Sequence, residues 1–329
     1  FVNSSWYYLR YTDPKNEKSI FDKKKAKYWC PVDSYIGGAE HACMHLIYFR
    51  FYAKFLRDLG LLDFDEPVKK LFNQGMLHGA DGNKMSKSLG NVINPLEIIE
   101  KVGADSLRLA LMSFASPDSD TVWDEKVLMG SHKFLNKVYD YFQEVKIVEK
   151  PNAKTESKLN KIIREMTKQI EDFKYNLAII KVRELFNSLP KETSKEVLEK
   201  SLKLLHPFCP HITEELWSKI GNKGFISLEE WPLSDNTKIN DKFDKEEAAM
   251  DKIVSDIMNI IRIVEEKGDK SSKVFVYTIP PELEFYSADE ISKRVGKEVQ
   301  VFATNDKKKY DPTNKSKNTK PGKPGIYLE

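Results

Sequence analysis

Apolar positions divide the chain into regions of different period. Over residues 1–95, short apolar runs alternate with glycine-bearing turns. FVNSSWYYLRY at the start predicts a core strand or turn. YIGG at 35–38 predicts a strand running into a glycine turn, and LFNQGMLHG at 71–79 a second buried strand and turn. Between them, EHACMHLIYFRFYAKFLRDLG predicts one amphipathic helix of about 20 residues closed by Gly60. Strand, turn, helix, strand is the order of a parallel α/β sheet.

Beyond Pro95 the period becomes helical. LEIIEKVGADSLRLALMSFA predicts two short helices broken at Gly103. From Lys126 to about Ile220 apolar residues recur at three and four. Leu159, Ile162, Ile163, Met166 and Ile170 form one stripe, and Leu177, Ile180, Leu185 and Leu189 another, as in a helical bundle. SLEEWP at 227–232 reads as a loop, and Trp123 and Trp231 as packing residues. Residues 244–268 predict one long charged helix. KVFVYTIP, DEISKRVG and EVQVFAT then predict strand, helix and strand. Residues 305–325, rich in Lys, Asn and Pro, predict a mobile loop before a last short strand, IYLE. These shifts give five segments: 1–95, half of an α/β sheet; 96–125, a helical connection; 126–243, a helical bundle; 244–270, a linker helix; and 271–329, a small α+β unit.

Composition narrows the picture. With 329 residues the chain exceeds one ordinary domain. Charged residues make up 31% of it, which suits a helix-rich protein with much solvated surface. A net charge of +3 makes no global case for nucleic acid, but seven lysines against one acid, Asp311, lie between Lys307 and Lys323. Cys30, Cys43 and Cys209 share no CxxC spacing, so neither a disulfide framework nor a zinc knuckle is expected, and a reduced, cytoplasmic location is. No apolar run approaches the roughly 20 residues of a membrane span, and no signal peptide is visible, so no membrane partner is expected. Because Phe1 opens what reads as a core element, the natural start is expected upstream, or on a separate subunit.

The candidate chemistry centres on DGNKMSKSLGNVINP, residues 81–95. Lys84 and Lys87 flank Met85 and Ser86 on a Gly- and Ser-rich loop that can close over a polyphosphate. Each ammonium can donate to non-bridging oxygens as charge develops at the α-phosphorus, and Ser86 adds a donor. A solvated charged turn is the ordinary reading of two lysines three apart. The whole string KMSKS after a predicted strand reverses it. Gly37 and Gly38, at a strand end, let a ligand approach the backbone, and Glu40 can accept from ribose hydroxyls. His41 and His45 lie four apart on one helical face; the order is not HExxH and no third ligand is evident, so no protein-bound metal is expected.

Residues 84–88 match letter for letter the KMSKS signature of class I aminoacyl-tRNA synthetases. YIGGAEHACMHLIYFRF, SSWYYLRYTDP, FNQGM and the terminal KPGKPGIYLE resemble the leucyl members, and LLHPFCPHITEELW with EEWP resembles the helical tRNA-binding domain of the Leu/Ile/Val branch. The resemblance runs through nearly the whole chain. It implies the second half of a Rossmann-like catalytic sheet, an anticodon-binding-type helical bundle and a small α+β C-terminal tRNA-binding domain. It implies leucine–tRNA ligation with leucine, ATP and tRNA(Leu) as partners, magnesium arriving with ATP. Lys84 and Lys87 are then the catalytic residues. Gly37, Gly38, Glu40, Gln74, Met76, Lys84, Ser86 and Lys87 contact ATP. Phe1, Ser4, Tyr7, Tyr35, His41 and His45 line the leucine pocket. Lys133, Asn136, Lys137, Lys315, Lys317, Lys320 and Lys323 face tRNA.

Two departures bear on this. The HIGH-type signature and the family's editing domain are absent and expected upstream of Phe1, so an N-terminal portion of the enzyme is an expected partner and the chain alone is expected to be inactive. Only nine residues separate Gln74 from Lys84, where some leucyl enzymes carry an inserted module. Isoleucyl- or valyl-type activity and a non-catalytic tRNA-binding subunit are the alternatives.

Overall fold

The computed structural model describes residues 1–266, 268 and 271–329. The chain opens with helix α1 (Val2–Thr12), not the strand or turn expected there. Its aromatic residues favour strands by propensity, yet Ser5, Tyr8 and Leu9 fall on one helical face that buries against the rest of the segment, and burial decides. Helix α2 (Lys23–Trp29) begins where the Asp22 carboxylate accepts from the Lys24 and Lys25 amides.

Strand β1 (Tyr35–Gly38) contains Gly37 and Gly38, so the glycine pair lies within the strand, not in a turn after it. The single helix expected next is divided. A 3-10 turn spans Ala39–Cys43, Met44 leaves helical dihedrals, and α3 runs His45–Asp58 before Gly60 takes φ +69°. Strand β2 (Leu71–Gln74) pairs parallel with β1, Tyr35 opposite Leu71 and Gly38 opposite Gln74. It is not the buried strand expected: Leu71 is 44% exposed. Strand β3 (Leu77–His78) pairs parallel with β4 (Thr121–Val122). The core beneath joins Tyr8 and Leu9 of α1, Ala26 of α2 and Phe49 and Leu56 of α3, with Phe21, Cys30 and Leu62.

Helices α4 (Pro95–Val102) and α5 (Ala104–Ser113) divide at Gly103, as expected; its φ of +83° suits a residue without a Cβ. The bundle comprises α6 (Glu125–Glu144), α7 (Ala153–Glu171), α8 (Tyr175–Ser188), α9 (Lys195–Leu205) and α10 (Pro210–Lys219). Short parallel strands β5 (Lys146–Val148) and β6 (Glu192–Ser194) tie its loops. On α7, Leu159, Ile162, Ile163 and Met166 are buried as expected. On α8 the buried face is Ala178, Ile179, Val182, Leu185 and Phe186, whereas Leu177 and Ile180 point to solvent. Of the expected α8 stripe, Leu185 is buried, and Leu177 and Ile180 fall on the opposite side.

Helix α11 (Asp241–Glu266) is followed by β7 (Lys273–Thr278), α12 (Ala288–Val295), β8 (Glu298–Ala303) and β9 (Gly325–Leu328). The sheet order is β8-β7-β9, β7 parallel to β8 and antiparallel to β9. Met250, Ile253, Ile257 and Ile261 of α11 pack on Val274 and Val276 of β7, Ile291 and Val295 of α12 and Val299 of β8. The segment before β9 is tied rather than free: Asp311 accepts from the Lys315 and Ser316 amides, and the Tyr277 hydroxyl donates to the Tyr310 carbonyl. By internal packing the described residues form two compact units, Phe1–Pro151 with Ile162–Ser234, and Asn152–Lys161 with Asp235–Glu329.

Candidate functional site

A cleft of about 530 Å³ opens between the start of α1, the β1–β2 pair and the turn into α3. Eight residues singled out from the sequence line it: Phe1, Ser4, Tyr35, Gly37, Gly38, His41, His45 and Gln74. Ile36, Met44, Leu46, Leu71 and Asn73 complete the wall and were missed. The parallel register finds them, since Leu71 and Asn73 lie opposite Tyr35 and Gly37, but register needs the fold first.

Each polar side chain is held by a different element. The Tyr7 hydroxyl of α1 lies 2.8 Å from the Tyr35 hydroxyl of β1, which lies 2.7 Å from Nε2 of His45 on α3. Tyr35 also stacks on Phe49, ring centroids 4.9 Å apart, and Phe1 on Tyr48 at 5.2 Å. Burial, with a smaller push from His41, holds the His45 imidazole below its ordinary pKa and so favours its neutral form. Burial and the bond from Tyr7 raise that of Tyr35. A neutral, aromatic wall closed by hydrogen bonds suits a small apolar side chain better than a charged one. The Glu40 carboxylate folds over Gly38, into the space that a Cβ there would take.

Lys84 and Lys87 do not line this cleft. They stand on a separate exposed loop that pairs back to β3 through an antiparallel bridge between His78 and Lys84. Among the described residues neither lysine has an ion-pair partner. The loop is pinned by two residues of the same segment that lie outside the five-residue string, Asn91 and Asp81. Asn91 accepts from the Ser86 amide at 2.9 Å and donates to the Asp81 carboxylate and the Lys84 carbonyl. Asp81 also accepts from the Asn83 side chain and amide, and these donors lower its pKa. Two ammonium groups on a turn whose backbone is braced present positive charge that an anionic polyphosphate can meet.

Met76 sits apart from the cleft as well. Its amide donates to Asp120 at 2.7 Å, and this bond is the main cause holding that carboxyl below its ordinary pKa. The neighbouring Gly75 has no alternative, because a Cβ there would run into the Ser119 carbonyl. On α6, Lys133, Asn136 and Lys137 share an exposed face, with Lys137 bonded to Asn187 and Asn136 to His132. Lys315, Lys317, Lys320 and Lys323 are exposed around a turn at Pro321-Gly322. Among the described residues no three His, Cys, Asp or Glu side chains converge on a metal position, and no helix is long and apolar enough to cross a membrane.

Residues 17–124 match the family described as tRNA synthetases class I (I, L, M and V), and residues 153–276 the anticodon-binding domain of tRNA ligase. The chain belongs to the class I tRNA synthetases. Among solved structures it is similar to the agnB2 LeuRS of Agrobacterium radiobacter K84, determined as a ternary complex with tRNA and LeuAMS. The two share 32% identity at a TM-score of 0.66, over 73% of this chain and 33% of that one. Within the family its architecture is therefore of the leucyl type, and it spans about a third of that LeuRS. Methionyl-tRNA synthetase of Mycobacterium tuberculosis with methionyl-adenylate aligns at 16% identity and a TM-score of 0.46, over 68% of this chain and 54% of that one.

Proposed function

We propose that this chain is part of a leucine–tRNA ligase and supplies one wall of the amino-acid site, the lysine loop and much of the tRNA-binding surface. The observation that carries the reading is the convergence of Phe1, Ser4, Tyr35, His41 and His45 on one aromatic cleft in a chain that also bears KMSKS. Leucine occupies the cleft, and its carboxylate oxygen attacks the α-phosphorus of ATP as the bond to pyrophosphate breaks. Lys84 and Lys87 donate to phosphate oxygens as charge builds there, magnesium arrives with ATP, and Ser86 adds a donor. Gly37, Gly38, Glu40 and Gln74 hold the adenosine, and Met76, two residues beyond the end of β2, meets it outside the leucine cleft. The terminal ribose hydroxyl of tRNA(Leu) then attacks the leucyl carbonyl, and AMP leaves. Lys133 and Lys137, with Lys315, Lys317, Lys320 and Lys323, neutralise tRNA phosphates, and Asn136 adds an uncharged donor beside them. Such an enzyme works in the cytoplasm.

The other phosphate-binding element of the site comes from an N-terminal portion outside these residues. Support for such a partner lies on α3, where Ile47, Phe51 and Phe55, one turn apart, are 57%, 65% and 46% exposed. Such an apolar stripe is a packing surface. ATP–pyrophosphate exchange tests the function, run on the assembled enzyme with each amino acid in turn. Leucine-dependent exchange is expected. Exchange driven by isoleucine or valine instead reassigns the substrate, and none with any amino acid leaves a tRNA-binding subunit.

A further inference from the structure

Strand β2 forms part of the cleft, and its residues alternate between two faces. Leu71 and Asn73 line the cleft, as does Gln74 at the strand's end, while Phe72 projects from the other face onto Phe173. There it stacks on Phe173, ring centroids 4.9 Å apart and planes 21° apart. Phe173 lies in the turn between α7 and α8, a hundred residues further along and in the segment that matches the anticodon-binding domain.

The backbone of Phe173 is unusual. Its φ is +60°, a left-handed conformation that a bulky residue rarely adopts. The hydrogen bonds explain the need for it. The Lys174 amide donates to the Gln169 carbonyl at 2.7 Å and the Phe173 amide to the Ile170 carbonyl at 3.1 Å. This is a Schellman ending to α7, with Phe173 where glycine is usual. Glycine would fit without strain, so what distinguishes phenylalanine there is its ring. That ring is engaged on three sides: Phe72 stacks on it, Tyr175 lies 5.8 Å away by centroid, and the Lys70 ammonium stands 5.3 Å over it. Lys70 immediately precedes β2, so two of the three contacts come from the cleft strand and the residue leading into it.

We infer that Phe173 is a positioning residue, a strained aromatic latch that fixes the tRNA-binding bundle to the underside of the cleft strand, so that a tRNA gripped by the helices is delivered in register with the activated amino acid. The inference rests on the tRNA-ligase reading. Of this chain's parts, activation needs the sheet and the lysine loop but not the bundle. Transfer also needs the bundle to be held against the sheet, and it is transfer that the latch serves. A misplacement of about 1 Å in such a step costs on the order of 100-fold.

The test compares Phe173→Gly, Phe173→Tyr and Phe72→Leu in the assembled enzyme, and in the 329-residue chain for stability. Phe173→Gly removes the ring and relieves the left-handed strain together. It is expected to lower the unfolding midpoint in spite of that relief, to leave leucine-dependent pyrophosphate exchange within about twofold, and to reduce kcat for tRNA charging about 10- to 100-fold with tRNA affinity unchanged. Phe173→Tyr, which keeps the ring, is expected to restore charging, and Phe72→Leu to reproduce the loss. A midpoint raised by Phe173→Gly shows an idle ring and overturns the latch; so does an unchanged charging kcat. A wild-type enzyme that charges no tRNA overturns the ligase reading and the coupling with it, while the midpoints still report separately on the stack.

Discussion

The Tyr35 hydroxyl lies 2.7 Å from Nε2 of His45, and this one contact joins the cleft strand β1 to the first turn of α3. Through Tyr7, 2.8 Å away, it reaches α1 as well. Three elements separated in sequence thus share one chain of hydrogen bonds, which braces this wall of the cleft. Burial that favours neutral imidazole leaves Nε2 free to accept from Tyr35.

Tyr35→Phe removes both bonds and keeps the ring that stacks on Phe49. A net hydrogen bond is worth about 0.5–1.5 kcal/mol, so losing the brace on His45 should raise the amino-acid KM roughly two- to tenfold. The turnover number should hold, because the hydroxyl touches no reacting atom in the proposed mechanism. Steady-state pyrophosphate exchange measures both, and an unchanged KM would show that the chain does not shape the site.

Stability should depend on pH through two histidines. Burial lowers the folded-state pKa of both His45 and His206 below the ordinary 6.5. As pH falls through 6.5 the unfolded chain takes up protons that the folded protein resists. The contribution is therefore complete above that value, and declines as pH drops toward the lowered folded values. Urea unfolding should show stability rising with pH across that window. His206→Asn, which can keep the contact to Thr213, should flatten the slope, and an unaltered slope would remove His206 from the account.

Lys87→Ala should slow activation about 100- to 1000-fold, the usual worth of a preorganised charge contact of about 2.7–4 kcal/mol, with little change in leucine KM. Asn91 supplies the sharper test, since it touches no ligand in the proposed mechanism and only braces the loop. Asn91→Ala frees the Ser86 amide and the Lys84 carbonyl, and should slow activation about 10- to 100-fold. Exchange kinetics as brisk as wild type in Asn91→Ala would mean the loop needs no bracing.

The legible parts of this molecule are those written in local pattern. KMSKS, the break at Gly103 and the α7 stripe each depend on a few adjacent residues. Helix α1 reads as a strand because Trp6, Tyr7, Tyr8 and Tyr11 favour strands, and only the presence of Phe49 beneath Tyr8, rings 4.8 Å apart, decides for a helix. The α8 face is ambiguous because Leu177 and Ile180 fit a helical period as well as Ala178 and Ile179 do, and period alone cannot choose the side that meets a neighbour. Around the cleft, most residues named from motif fall together, whereas Asn73 and Leu71 enter only through parallel pairing. Asn91 and Asp81 lie in the quoted segment 81–95, but their bracing role is not legible because polar loop residues carry no periodicity. The farthest from legible is Asp105, whose partners lie over a hundred positions away.

Asp105 is buried at the start of α5, yet its carboxylate accepts from the Ile212 amide at 2.7 Å and from His211 Nδ1 at 2.8 Å. It thereby satisfies an open amide at the N-terminus of α10 from a different helix, where the helix dipole favours negative charge. Asp105→Ala should cost about 1–3 kcal/mol in chemical denaturation, because it leaves the amide without an acceptor. Asp105→Asn should recover part of the loss by keeping one acceptor oxygen. Equal losses in the two variants would mean that charge, not hydrogen bonding, makes the link.

The lysines before β9 do not sit on a loose tail. Lys320 and Lys323 bond to each other's backbone across Pro321 and Gly322, and Gly322 has φ +66°, the second corner of a type II turn. The turn is anchored on both sides: the Gly322 amide donates to the Glu282 carboxylate, and the Lys252 ammonium donates to the Gly322 carbonyl at 2.7 Å. Lys315, Lys317, Lys320 and Lys323 are exposed, and none has an ion-pair partner among the described residues. Their charge is therefore available to phosphate from a fixed position. Removing the whole C-terminal unit would be a poor test, because Met250, Ile253, Ile257 and Ile261 of α11 would lose the surface they pack on. Replacing the four lysines by alanine leaves that core intact. In the assembled enzyme the fourfold variant should bind tRNA more weakly, and its affinity should depend less steeply on salt. Every phosphate that goes unneutralised should reduce the log–log slope by about 0.7–0.9. Leucine activation should be unchanged, since none of the four lies at the cleft or the lysine loop. A slope equal to that of the wild type would return these lysines to an ordinary solvated surface.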